Sequence, residues 1–191
     1  MSPRKAAANA AIYQLKITLR GAKPPIWRRV QVPSDITLAK LHQTIQAAMG
    51  WYDCHLHEFE IDGQLYGEPM PDMDMFVEIK SDRTCRLHQF VTGEKYKFPY
   101  MYDMGDGWDH QILVEKVLPP DPAVRYPICI KGKRACPPED CGGVWGYGEL
   151  LETIRDPQHP EHDEMLEWIG GDFDAEAFDL EATNYRLQQI Q

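Results

Sequence analysis

Apolar and polar residues alternate from the start of the chain. In AIYQLKITLRG, Tyr13, Leu15, Ile17 and Leu19 fall on one side; in PPIWRRVQV, Ile26, Arg28, Val30 and Val32 do the same. A period of two is that of strands with one buried face, and the Gly/Pro segment between them is a turn. The period then lengthens. Over PSDITLAKLHQTIQAAMG, Leu38, Leu41, Ile45 and Ala48 form one helical stripe, with Thr37 or Asp35 as N-cap and Gly50 as the stop. HLHEFEIDGQLYG reads as a strand, an Asp-Gly turn and a second short strand. FVEIK and RLHQFV are further strand candidates, and YKFPYMYDMGDGWDHQILVEKVLPP is a hairpin with a glycine-rich tip, closed by a double proline.

Beyond Gly146 the pattern is helical. Tyr147, Leu150, Leu151 and Ile154 sit at i, i+3, i+4 and i+7, and Pro157 ends that helix. EHDEMLEWIGG and EAFDLEATNYRLQQI supply two more, separated by Gly170 and Gly171. The expected fold class is α+β: a mostly antiparallel sheet with a strand-strand-helix start and a helical C-terminal lobe. Residues 1–11 read as a frayed N-terminus. Residues 12–188 read as one domain, sheet-rich over 12–145 and acidic and helical over 146–188.

Charge sharpens this picture. The net charge is −10, and between Glu149 and Glu181 twelve acids face a single base, Arg155, so the rest is close to neutral. Binding nucleic acid by counterion release needs clustered Lys and Arg, so the charge argues against it. The acidic helices instead offer a face to a basic protein partner through Glu161, Asp163 and Glu167. No apolar run is long enough to span a bilayer, and MSPRKAAANA lacks the apolar core of a signal peptide. The expected location is cytoplasmic.

Candidate chemistry is concentrated in few places. Cys129, Cys136 and Cys141 lie within thirteen residues, with six and four residues between them. Zinc knuckles use closer, paired spacings, so a zinc site here needs a further ligand. His55 and His57 share a strand face with Phe59 and Ile61, and His110 shares one with Ile112 and Val114. These three imidazoles are the available donors, either converging with the cysteines or an Asp, or bonded within the core. Asp103, Asp106 and Asp109 form a looser oxygen set for a hard divalent ion. Arg28, on the apolar side of its strand, needs a partner, and Glu139 or Asp140 of RACPPEDC would pin that loop to the sheet. Only three serines occur, Ser34 fits a helix cap, and no nucleophile elbow or phosphate loop is present.

Four ordered blocks, IWRRVQVPSDITLAKLHQTIQAAMGW, HLHEFEI, YDMGDGWDHQILVEK and RACPPEDCGGVWGY, resemble the plasmid pRiA4b Orf3-like family. The resemblance runs over about residues 12–188; Met104 stands where the family more often carries an aromatic residue. It implies an α+β domain of bacterial and archaeal cytoplasmic proteins with no settled activity. Some members carry the label resolvase or transposon passenger, which neither the charge nor the missing recombinase residues favour. Three functions follow in order: a non-enzymatic binding module, a zinc-dependent hydrolase-like enzyme, and a transposon-associated DNA protein. The sequence leans away from an enzyme.

Overall fold

The computed structural model describes residues 11–69 and 78–190. Strands β1 (Ile12–Leu19) and β2 (Trp27–Pro33) lead into helix α1 (Leu38–Met49). Then come β3 (His57–Ile61), β4 (Gln64–Gly67), β5 (Ile79–Ser81), β6 (Lys97–Tyr102), β7 (Trp108–Leu118) and β8 (Ile128–Lys133). Helices α2 (Gly143–Arg155), α3 (His162–Trp168) and α4 (Leu180–Gln188) close the chain. The strands form one sheet in the order β5-β4-β3-β6-β7-β1-β2-β8. All neighbours are antiparallel except β4 and β5. The fold is α+β.

The alternation in the sequence decides which face of the sheet is covered. Leu15, Ile17, Val30, Val32, Phe59, Tyr100, Tyr102, Trp108, Ile112 and Val114 are fully buried together with Leu38, Leu41, Ile45 and Ala48 of α1. Each such large side chain contributes about 1.5–3 kcal/mol, so a one-residue slip that exposed one strand's set is strongly disfavoured. The opposite face is polar: Glu115 accepts from Arg29 and Gln14. α1 begins where the Thr37 side chain accepts from the Lys40 amide and ends at Gly50, whose φ of 103° only glycine adopts without strain. α4 packs against both β8 and α1, and α2 against α3.

Two local readings differ from the structure. RLHQFV contains a single 3-10 turn, Leu87–Gln89, because the Gln89 side chain accepts from the Arg86 amide and turns the backbone. Strand β8 has no counterpart among the expected elements: its edge sequence ICIKGK carries two lysines and a glycine and lacks the apolar alternation that marks an interior strand. Of FVEIK, Ile79 and Lys80 belong to β5, while Phe76 and Val77 lie outside the described residues, as does the N-terminal segment 1–10.

Candidate functional site

A cleft of about 840 Å³ opens where four pieces of chain meet. These are α1, the segment running into β3, the turn after β5 and the tip of the β6–β7 hairpin. His42 of α1 and His57 of β3 stack inside it, ring centroids 3.4 Å apart and planes within 6°. Each imidazole is held by its own carboxylate: His42 Nε2 lies 2.6 Å from Asp53 Oδ1, and His57 Nε2 lies 2.9 Å from Asp82 Oδ2. The hydroxyl of Tyr100 reaches His42 Nδ1 at 2.7 Å. Burial pushes the His42 pKa down and that of Tyr100 well up, while the bond to His42 lowers that of Asp53. All three directions agree with one protonation pattern. Neutral His42 donates its Nε2–H to anionic Asp53 and accepts from the phenol. For His57 the contact with the carboxylate of buried Asp82 makes Nε2 the donor; its Nδ1 makes no hydrogen bond among the described residues.

A second cluster forms where His55 and Asp103 of this lining meet Asp140, which lines the neighbouring cleft. His55 Nε2 is 3.2 Å from Asp140 Oδ1 and 3.7 Å from Asp103 Oδ2, and the three potential ligand atoms lie within 4.8 Å of one another. Asp103 is presented by the hairpin tip. Its Oδ1 accepts from the Gly105 amide at 2.8 Å, which leaves Oδ2 turned to His55. Asp140 is presented by the CPPED loop, which is docked rather than free. Trp51 Nε1 donates to the Pro137 carbonyl at 3.0 Å, and Glu139 accepts from both the Tyr102 hydroxyl and the Tyr52 amide. The loop then enters α2 through close backbone approaches that exclude side chains. A Cβ at Gly143 would lie 2.2 Å from the Asp106 carbonyl oxygen, and one at Gly146 would lie 1.9 Å from that of Cys141.

A model of the family described as Plasmid pRiA4b ORF-3-like protein matches residues 11–182. The chain belongs to this family. It is similar to the uncharacterized protein y4hQ of Sinorhizobium fredii (strain NBRC 101917 / NGR234), 40% identical over 184 residues, which cover 95% of this chain and 93% of y4hQ. It is also similar to the crystal structure of MM3350, a protein of unknown function from Methanosarcina mazei Go1. That match has a TM-score of 0.80 and 42% identity, and covers 90% of this chain and 96% of the other. This member of the pRiA4b ORF-3-like family has no helix among the described residues long and apolar enough to cross a membrane.

The structure separates the ligand set read from the sequence of this family member. Among the described residues, His55, Asp103 and Asp140 are the one group of three or more His, Cys, Asp or Glu side chains gathered closely enough to share an ion. His57 lines the same cleft but turns Nε2 to Asp82. His110 lies in the core, its Nδ1 2.8 Å from the Trp108 carbonyl; its Nε2 has no hydrogen-bond partner among the described residues, and burial pushes its pKa down to about 4. Cys129 is buried on β8, while Cys136 and Cys141 pack against the core. Burial raises all three thiols, Cys141 to about 12, and none of them belongs to a group of three or more donors gathered closely enough to share an ion among the described residues.

The oxygen set also divides: Asp103 joins His55, Asp106 accepts from the Gly142 amide, and Asp109 pairs with Arg20. Arg28 does not reach Glu139 or Asp140. It donates to the carbonyls of Ala48, Trp27 and Lys133, since backbone oxygens at a helix end and a strand edge are nearer than the loop acids. Glu161, Asp163 and Glu167 are exposed on and beside α3. His42, Asp53 and Asp82 were not among the residues expected to matter. The available signal was His42 itself, a polar ring at the i+4 position of the buried stripe that starts at Leu38.

Proposed function

We propose that the cleft is a metal-dependent hydrolytic centre, with a divalent cation held by His55, Asp103 and Asp140. The observation that carries this reading is the approach of one imidazole and two carboxylates, delivered by three separate segments, within 4.8 Å of one another. Anionic carboxylates brought so close repel unless a cation or proton offsets them. One nitrogen and two carboxylate ligands leave coordination positions for water and substrate, as catalytic sites require. The set contains no thiolate, so it suits manganese as well as zinc. His57 supplies the second half of the chemistry. With Asp82 fixing its tautomer, its bare Nδ1 can take a proton from an attacking water in the same cleft. His42, stacked beneath it, limits how far that ring can turn.

This reading reverses the order favoured by the sequence, in which a binding module came first. Calorimetric titration of the chelator-treated protein with manganese and zinc tests it. About one equivalent is expected to bind, with affinity lowered at least tenfold by His55→Ala or Asp103→Asn. A Cys136→Ser/Cys141→Ser variant is expected to bind as the parent does. No saturable binding, or loss only in the cysteine variant, would contradict the proposal.

A further inference from the structure

On the other side of the CPPED loop lies a second cleft, of about 790 Å³. Its walls include Trp51, Trp168, Phe173 and Phe178, and two arginines line it, Arg28 and Arg186. Arg28 is only 2% exposed. Its guanidinium lies 4.6 Å over the Phe178 ring. Its Nε and Nη1 go to carbonyl oxygens at 2.9–3.1 Å, and Nη2 makes no hydrogen bond among the described residues. Arg186 donates to the Ala47 carbonyl and to the Thr183 hydroxyl. Among the described residues neither arginine has a carboxylate within ion-pair distance.

This is unusual for a chain of net charge −10. A buried charge without a counter-charge is costly. The carbonyls of Ala47 and Ala48 belong to the last turn of α1, and a helix C-terminus is equivalent to about half a negative charge. That offsets only part of the buried Arg28 charge, while Arg186 is exposed to solvent. The neighbouring thiols of Cys129 and Cys136 do not make up the difference, because burial keeps them neutral. Three carboxylates also line the cleft, Glu139, Asp140 and Asp179, but none is within ion-pair distance of either arginine and each is engaged elsewhere. Asp179 caps α4, Glu139 accepts from Tyr102 and Tyr52, and Asp140 faces His55. What the cleft does present is a nearly buried guanidinium whose Nη2 has no acceptor among the described residues, beside an aromatic wall.

We propose that this second cleft binds an organic anion: a carboxylate carried on a flat, apolar body. The carboxylate sits at Arg28 and Arg186, where it completes the hydrogen bonding that carbonyls leave unmet. The body lies against the aromatic side chains, which exclude water from the ion pair. Asp140 is shared with the cation site proposed above, so the anion is tested with that ion removed.

Fluorescence titration tests it, with chelator present throughout. The ligands are benzoate, its uncharged counterpart benzyl alcohol, and acetate. Benzoate is expected to change tryptophan emission saturably and to bind at least tenfold more tightly than either of the others. Arg186→Met, at an exposed side chain, is expected to remove that preference while leaving the weak binding of benzyl alcohol unchanged. Arg28→Lys keeps the buried charge but loses the planar fork, and is expected to weaken benzoate binding without unfolding the chain. The proposal fails if benzoate does not saturate at tens of millimolar, if benzyl alcohol binds equally well, or if Arg186→Met leaves the preference intact.

Discussion

The stacked pair His42 and His57 shows how single residues set the chemistry of the first cleft. Two imidazoles in face contact cannot both carry charge at low cost, and burial already disfavours charge on His42. Asp82 then settles which nitrogen of His57 is free. Two-bond nitrogen–proton NMR correlations at neutral pH are expected to show His57 with its proton on Nε2. Asp82→Asn is expected to mix the two tautomers and leave those of His110 unchanged. An Nδ1-protonated His57 in the parent would remove it as the base. Little of this pairing was legible in the sequence. His55 and His57 stood out because they sit two apart on an expected strand, although β3 itself begins only at His57. Asp82 and Asp53 did not, because lone acids in turns are common and only the tertiary fold brings them to the rings. Asp140 was visible but assigned to Arg28, since nothing in a linear sequence ranks a buried carbonyl above a carboxylate.

At the scale of elements, the loop from Cys136 to Gly143 links the two clefts. Its prolines and its bonds to Trp51, Tyr52 and Tyr102 hold it rigid, and the glycines let it turn into α2 against neighbouring backbone. Gly146→Ala is expected to destabilise the protein by about 1–3 kcal/mol in urea unfolding, the usual cost of overpacking. It is also expected to weaken cation binding, because Asp140 rides on the displaced loop. Gly148→Ala, where an added Cβ meets nothing within 4 Å, is expected to be neutral or stabilising by about 0.5–1 kcal/mol. Equal effects at both positions would mean that the close contact does not matter. The larger elements were readable: β1, β2, α1 and both hairpins follow the apolar period. β8 was not, because its pattern is too polar and too short to separate from the loop beside it.

At the scale of the whole molecule, the one-sided sheet traps a histidine in its core. His110 has a folded pKa of about 4 against an ordinary 6.5. Between those values the unfolded chain binds more protons than the folded one, so stability falls as pH drops through that window. The loss amounts to about 3 kcal/mol by the time both states are protonated. Urea unfolding from neutral pH down to pH about 4 is expected to show this slope, and His110→Phe to reduce it. A parent and variant with parallel pH profiles would place the acid sensitivity elsewhere.

The same sheet sets the two clefts on either side of one loop, with the imidazoles in the first and the aromatic wall in the second. The central claim is that His55, Asp103 and Asp140 hold a cation. Anomalous diffraction at the manganese edge, on crystals grown with that ion, is the most direct measurement. The account predicts one peak bounded by His55, Asp103 and Asp140, absent in Asp103→Asn crystals grown the same way. A peak at the cysteines, or none in the parent, would contradict it.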